Sequence, residues 1–540
     1  MARLALGIDS STQSITAVAV EIDSRQKVFE KSIDYLADQS LKRFGIGPDY
    51  LLPPAGPGEA KQPAEMFFAS LDALFGALAA EFPGLGLACG EIVAINVSGQ
   101  QHGHVLLEAR AGELFASLRQ SPVPGPSLAG ILGEGLALPF ARIWRTSNTA
   151  AEAESVRRAV GGKEALIRLT GSDAPLRFSA FGIRRTALEH PEQYAKTVLI
   201  HQISSLIPAA LTGRLDIPLD WGNACGTSLM DYRVRRWSPE LAEAVAGDLP
   251  GGAEGLLEKL PPLASGRVIA GKIARYFVER YGFSPECLVG IGSGDNPQTK
   301  ALTEGSLFSL GTSFVIMVET DGATFDLSGS TNAMYDSLDR PFTFGCRTNG
   351  ALRWDEVRAW HGLAKGDYTP AELALEETPP GNYGRLLLWQ SEAESFPVSK
   401  AFAPVRIGYD SGDLAADYAG IIESTLAAVY INARHHLGPG GLLYVSGGAS
   451  KSPEIMRRTA AIFNRTLIPV EAGGAALGAA ASGAAAWLLA RGEKIIPGKF
   501  CASFLGRKRP VVPRPEDVEA YHGAGGYLEK FREAEERVIA

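Results

Sequence analysis

Residues 6–20 read LGIDSSTQSITAVAV, and the fold is decided by how this stretch is read. An apolar run, Leu6–Ile8, leads into Asp9, Ser10, Ser11, Thr12 and Gln13, then into a second apolar run of period two. That pattern predicts two strands joined by a bend, with strand signals at 4–8 and 14–21. A hairpin needs only Asn-Gly or Asp-Gly to turn. An acid and three hydroxyls in the bend therefore suggest that it holds a ligand. Further on, 306–319 read SLFSLGTSFVIMVE, again strand, Ser/Gly/Thr-rich bend, strand. The repetition predicts two domains of related topology, each opening on a hydroxyl-lined hairpin.

The chain has 540 residues, more than one ordinary core accommodates. Its 46% hydrophobic and 21% charged residues describe a globular protein. A formal charge of −8 gives no support for a nucleic-acid partner, which would select a basic face. The cysteines (89, 225, 287, 346 and 501) are five and scattered, with no Cys-x-x-Cys pair. They predict a reducing compartment without a disulfide framework or a zinc site. No basic leader and cleavage site precede Leu4, so no signal peptide is expected. Residues 472–490, AGGAALGAAASGAAAWLLA, are uncharged over a bilayer-spanning length. Alanine and glycine gain little from lipid, so a helix buried against protein is expected, with no membrane partner. The chain is expected to be soluble and cytoplasmic.

Between the hairpins, a helix is expected near 64–81 and a strand at 91–98. A Pro/Gly-rich loop follows at 120–141. Helices are expected at 149–160, 180–196 and 197–212, and a mainly helical stretch at 234–282. A strand opens at Cys287. Residues 416–437 place Ile422, Leu426, Val429 and Ala433 on one stripe and stop at Gly438. Next come an apolar strand, the Gly447-Gly448 turn and an amphipathic helix, an arrangement that presents backbone N–H groups to a phosphate. The domains are expected at 1–288 and 289–540.

Two hydroxyl-rich bends and a Gly-Gly turn supply N–H and O–H donors suited to a polyphosphate. Asp9 sits badly against phosphate unless a divalent cation lies between them, and Mg²⁺ is held by one or two carboxylates plus substrate phosphates. The bend is therefore expected to hold Mg-nucleotide. There is no GxxxxGK[ST], no GxGxxG leading into a helix, and no HRD or DFG set. In GIGSGDNPQT, Asp295 follows a strand between glycines. It reads either as a base for an acceptor hydroxyl or as a first-turn acid behind an Asn296 N-cap. In VSGQQHG, Gln101 and His102 occupy a glycine-framed turn, where they either bind sugar hydroxyls or are simply solvated.

LGIDSSTQ, VSGQQHG, GSGDN, SLGTS and VSGGAS, in this order from about residue 4 to 490, resemble the FGGY carbohydrate kinases. LTGSDAPLRFS, YFVERYGFSPEC and GDNP are similar to the xylulose kinases of the eukaryotic type. The resemblance implies an α/β architecture: two ribonuclease-H-like domains of the actin-like ATPase fold with the active site in a cleft between them. The C-terminal domain would bind nucleotide and the N-terminal one sugar. It implies that Asp295 is the catalytic base and that Asn296, Gln101, His102 and Arg177 contact the sugar. Asp9 would organise Mg²⁺. Ser11, Thr12 and Gln13 of the first bend, with Ser309, Gly311 and Thr312 of the second, would border the ATP phosphates. Gly447 and Gly448 would lie under the ribose or adenine. The implied reaction is phosphorylation of the terminal hydroxyl of a ketopentose, D-xylulose, by ATP. A kinase for ribulose or glycerol, or a non-catalytic nucleotide-binding sugar sensor, is the alternative. Three positions depart from the family pattern. Ser11 replaces the glycine of Asp-x-Gly-Thr, Thr146 stands two residues after Trp144 where many relatives carry an acid, and Asn223 stands where an acid is frequent. The C-terminal ERVIA segment would pack back on a domain or form a homodimer contact.

Overall fold

The computed structural model describes residues 3–120, 125–410, 413–438, 440–471 and 473–539. Residues 121–124 of the expected loop, Ala472 of the small-residue stretch and Ala540 of the ERVIA segment lie outside them. The chain divides into two compact units. One comprises Met1–Glu304, Ala333–Pro341 and Gly473–Phe504, the other Gly305–Asn332, Phe342–Ala472 and Leu505–Ala540.

In the first unit the quoted stretch forms strands β1 (Leu4–Ser10) and β2 (Ser14–Glu21), paired antiparallel from Leu4–Glu21 to Ser10–Ile15. β3 (Lys27–Asp34) extends the meander. On the other side of β1, β4 (Ile92–Gly99) runs parallel to it. Beyond β4 lie β6 (Leu288–Gly290), parallel, and β5 (Ile269–Lys272), antiparallel to β6; β7 (Ser293–Gly294) continues parallel pairing with the end of β4. Leu4, Leu6 and Ile8 point into a core shared with Phe67, Leu71 and Leu74 of helix α1 (Ala64–Glu81). Such period-two burial with both faces covered is what a central parallel strand requires.

The opposite face of β1 is covered by helix α5 (Gly474–Ala490), which explains the small-residue stretch. A β-carbon at Gly7 would sit 1.9 Å from the Ala476 carbonyl oxygen. One at Gly478 would sit 2.1 Å from the Gln298 carbonyl oxygen in helix α2 (Asp295–Ala301). Glycines and alanines let these backbones approach more closely than larger side chains permit. Residues Ala476–Leu488 of α5 are buried, as the composition suggested. A buried ring of hydrogen bonds fastens the three elements. Asn96 Nδ2 donates to Ser482 Oγ (2.9 Å), Ser482 Oγ to Gln298 Oε1 (2.8 Å), and Gln298 Nε2 to the Val97 carbonyl (3.1 Å). This ring fixes the position of Asp295.

In the second unit, β8 (Ser306–Leu310) pairs antiparallel with β9 (Phe314–Glu319), and β9 with β10 (Pro341–Arg347). β8 runs parallel to β11 (Leu442–Ser446), and β11 to β12 (Thr466–Pro469). The order β10-β9-β8-β11-β12 reproduces β3-β2-β1-β4-β6, direction by direction. The repeat read from the two bends is thus a repeat of whole sheets. Helix α3 (Leu414–Leu437) buries Ile422, Leu426, Val429 and Ala433 against Phe308 and Phe314, is capped by Asp413, and ends at Gly438, φ +64°.

The structure corrects three expectations. The units do not divide at residue 288. Residues 289–304 continue the first sheet through β7 and α2, and 473–504 return to cover it. The expected helix over 197–212 is a strand, Thr197–Gln202, followed by a helix, Ile203–Thr212. The apolar run in TVLIHQ pairs with His104–Glu108, so tertiary pairing decides that segment. Finally, 234–282 holds three short helices with β5 among them, the chain's Gly and Pro breaking any longer run.

Candidate active site

The site in the first unit forms where parallel strands end together, the position at which α/β sheets present ligand-binding groups. Register places Asp9, Ser98 and Ser293 side by side on β1, β4 and β7, with Ser10, Gly99 and Gly294 in the next row. Ser98 Oγ donates to Asp9 Oδ1 (2.7 Å). Burial raises the Asp9 carboxyl above its ordinary range, against that hydrogen bond. Asp295 opens α2 immediately after β7, with Gly294, not Asn296, as N-cap. Its Oδ1 accepts the Asn296 amide (2.8 Å). Burial, then the charge of Asp9, push it up to about 7. Neither carboxylate has an ion-pair partner among the described residues. Two mutually repelling carboxylates at one set of strand ends leave negative charge uncompensated.

Beside them, Asn296 Nδ2 donates to Gln101 Oε1 (3.0 Å), and Gln101 Nε2 to the Gly222 carbonyl (3.5 Å). His102 is in the left-handed region (φ +68°) and is buried, which removes the solvated-turn alternative. Its ring stacks on Phe178 with centroids 4.7 Å apart, and Nδ1 lies 2.8 Å from the Gly226 carbonyl. Burial, reinforced by the Arg177 charge, holds it down at about 3. The ring is therefore neutral at pH 7, with Nδ1–H donating to Gly226 and Nε2 left as an acceptor. Gly294 permits this crowding, since a β-carbon there would lie 2.4 Å from Gln101 Cγ.

In the bend, Ser11 Oγ donates to the Ser14 carbonyl (2.9 Å). Thr12 Oγ1 accepts from the Trp144 indole (2.8 Å) and lies 3.4 Å from Gln100 Oε1. Gln62 Nε2 donates to the Thr12 carbonyl (2.7 Å) while its Oε1 accepts from Gln100 (2.8 Å). Gln13 is exposed, and its carbonyl accepts the Tyr35 amide (2.9 Å). The first unit thus gathers Asp9, Ser11, Thr12, Gln13, Gln101, His102, Asp295 and Asn296 around adjoining strand ends, with Arg177 near enough for its charge to act on His102.

The second unit gathers the others. Ser309 registers with Ser446, and Gly311 and Thr312 form the bend between β8 and β9. Gly447 (φ +99°) presses against β8, where a β-carbon would lie 2.3 Å from the Leu310 carbonyl oxygen; Gly448 faces open space. The expected direct passage from this turn into a helix is not found. A 3-10 turn, Gly448–Lys451, intervenes before α4 (Pro453–Phe463). The N-terminus of α4 is already satisfied: Ser452 Oγ accepts from Ile455 N, and Glu372 accepts from Ser452 Oγ (2.6 Å) and Glu454 N (3.1 Å). The N-terminus of α4 therefore keeps its leading amides for partners within the chain.

Sequence reading missed the supports. Asp220, pushed up to about 6 by burial, caps the helix Trp221–Cys225 and accepts from Ser293 Oγ. Asn223, where an acid is frequent in the resembling family, donates to Asp220 Oδ1 (2.8 Å) and Ser204 Oγ (2.7 Å). Asp220 lies three residues before Asn223, a position already singled out, and so was within reach of a local signal. Gln62 gave none, because its partners are distant in the chain; Phe178 stood in the quoted LTGSDAPLRFS, but its stacking on the distant His102 did not show there.

The profile of the FGGY family of carbohydrate kinases, N-terminal domain, matches residues 136–301. The chain is similar to xylulose kinase 2 of Arabidopsis thaliana, 27% identical over 565 residues, covering 99% of this chain and 97% of that protein. It is similar to xylulose kinase of Rattus norvegicus, 27% identical, covering 100% and 97%. The solved ligand-bound xylulose kinase from Lactobacillus acidophilus shares the fold, with TM-score 0.77 at 18% identity over 99% and 98% of the chains.

Proposed function

We propose that this chain, which belongs to the FGGY family of carbohydrate kinases, transfers the terminal phosphoryl group of ATP to the terminal hydroxyl of D-xylulose, giving D-xylulose 5-phosphate and ADP. The observation that carries the reading is Asp295: a carboxylate at a strand end, tuned to about 7, beside Asn296 and Gln101 and near a second carboxylate. Tuning toward the working pH is what a general base requires. Asp295 takes the proton of the acceptor hydroxyl as its oxygen bonds to the γ-phosphorus. The bond to the ADP oxygen breaks, and Asp295 then returns the proton to solvent. Gln101, Asn296 and Arg177 orient the sugar, and neutral His102 accepts a hydroxyl hydrogen at Nε2. Ser11, Thr12 and Gln13 in the first unit, and Ser309, Gly311 and Thr312 in the second, carry hydroxyl and amide groups suited to ATP phosphates. Gly447 and Gly448 allow the nucleoside to approach the backbone.

Mg²⁺ fits the donors present. Asp9 is an uncompensated carboxylate with one oxygen steadied by Ser98. Among the described residues no three His, Cys, Asp or Glu side chains form a metal cage. That donor set suits a cation brought in with phosphates, and the ion would supply charge neutralisation on them. A reducing, cytoplasmic setting fits the five unpaired cysteines. A coupled ADP-release assay with D-xylulose, ribulose and glycerol tests the reading. Preferred turnover of D-xylulose is expected. Preference for another acceptor would reassign the substrate, and sugar binding without ADP release would make the chain a sensor.

A further inference from the structure

Away from the strand ends, the first unit carries a recess of about 570 Å³ lined by Trp221, Arg233, Val234, Arg235, Arg236 and Trp237, with Leu263 at its edge. We propose that it is a second ligand site, for the phosphate monoester of a sugar, acting as an effector site for the kinase.

Three arginines within four positions face one recess of a chain whose formal charge is −8, and no carboxylate lines it among the described residues. The loop that carries them is held in place. The loop between the paired strands Met230–Asp231 and Arg236–Trp237 is pinned by Asp231 Oδ1, which accepts the amides of Arg233 (2.9 Å) and Val234 (3.2 Å). Arg235 adopts a left-handed conformation, φ +56°. Its guanidinium lies 4.5 Å from the Trp221 ring centre and 4.7 Å from that of Tyr335. Trp237 is fixed by its indole N–H on the Pro261 carbonyl (2.7 Å). Arg236 is exposed and forms no ion pair with a described residue. A guanidinium fork matches phosphate oxygens in pairs, and indole faces accept the C–H faces of a sugar. The volume lies within the range of small-molecule sites.

The recess is also linked to the sugar-binding residues through the chain at Trp221. Trp221 precedes Gly222, whose carbonyl receives Gln101, and the helix carrying both is capped by Asp220, which holds Ser293. A ligand against Trp221 therefore acts one residue from the carbonyl that holds Gln101, a residue assigned to the acceptor sugar. The effector role rests on the kinase reading; binding does not.

Calorimetry on the full chain, with saturating D-xylulose and no ATP, separates the two. Glucose 6-phosphate should bind once per chain. Inorganic phosphate should bind more weakly, and glucose should not bind. Arg236→Glu should weaken glucose 6-phosphate at least about tenfold, the scale of one lost charge-assisted contact, with Arg236→Lys recovering part. Basal turnover and the fold of these surface variants should be unchanged. Equal affinity in Arg236→Glu, glucose binding as tightly as its phosphate, or no binding at millimolar concentration would overturn the site. In the ADP-release assay glucose 6-phosphate should shift the KM for D-xylulose in the wild type and not in Arg236→Glu; binding with unchanged KM would overturn the effector role.

Discussion

Replacing Asp295 by Asn should stabilise the nucleotide-free protein, and the gain should depend on pH. The Asp295 carboxyl is raised from 3.8 to about 7 by burial and by the Asp9 charge. The folded state thus keeps a proton that the unfolded chain releases between about pH 4 and 7. Stability from this group is fully present below the unfolded value and is lost as pH rises through 7. A separation of roughly 3 units at about 1.4 kcal/mol each sets a ceiling near 4 kcal/mol at alkaline pH. Asp295 keeps some contact with solvent, so screening reduces this to about 1–2 kcal/mol. Asn is neutral at every pH and preserves the oxygen that accepts the Asn296 amide. The variant should therefore melt a few degrees above wild type at pH 8.5 and converge with it near pH 4. Thermal melts without Mg²⁺ or nucleotide across that range test this. Parallel pH profiles for the two proteins would show that Asp295 is not held in a costly ionised state and would remove the basis for its tuning.

Other outcomes follow from named contacts. Gly478→Ala drives a methyl group into the Gln298 carbonyl; urea unfolding should show a loss of about 1–3 kcal/mol, and kcat should fall because α2 carries Asp295. Trp144→Phe removes the indole donor to Thr12, so steady-state kinetics should show a severalfold higher KM for ATP, equivalent to about 1 kcal/mol. The His102 ring, held at about 3, should show neutral ¹⁵N chemical shifts from pH 8 down to pH 5; protonation near pH 6.5 would contradict its burial. Chelation by EDTA should stop turnover while leaving the nucleotide-free melting temperature unchanged, since no three-ligand cage exists among the described residues.

Local chemistry made some of this legible in advance. Two polar bends between apolar strands revealed the doubled sheet, because period two and turn residues act within a few positions of each other. Asp9, Asp295 and the Gln101–His102 turn were marked by residue types that a bend does not need. What escaped was set by distant partners. The composition of 474–490 showed that backbones pack closely there, but not that they are those of β1 and α2, about 470 and 180 residues earlier by direct count. The Glu372 carboxylate that closes the N-terminus of α4 lies 80 residues before Ser452. His102 looked like a surface turn because the residues that bury it, Phe178 and Gly226, come from other segments. The 197–202 strand was hidden because its apolar run suits helix and strand equally until His104–Glu108 pairs with it.

The most direct test of the mechanism is turnover of Asp295→Asn with D-xylulose alongside its affinity for ATP. A kcat lower by about 10²–10⁴ with little change in nucleotide binding is expected for loss of a general base. Near-normal turnover in that variant would contradict the assignment.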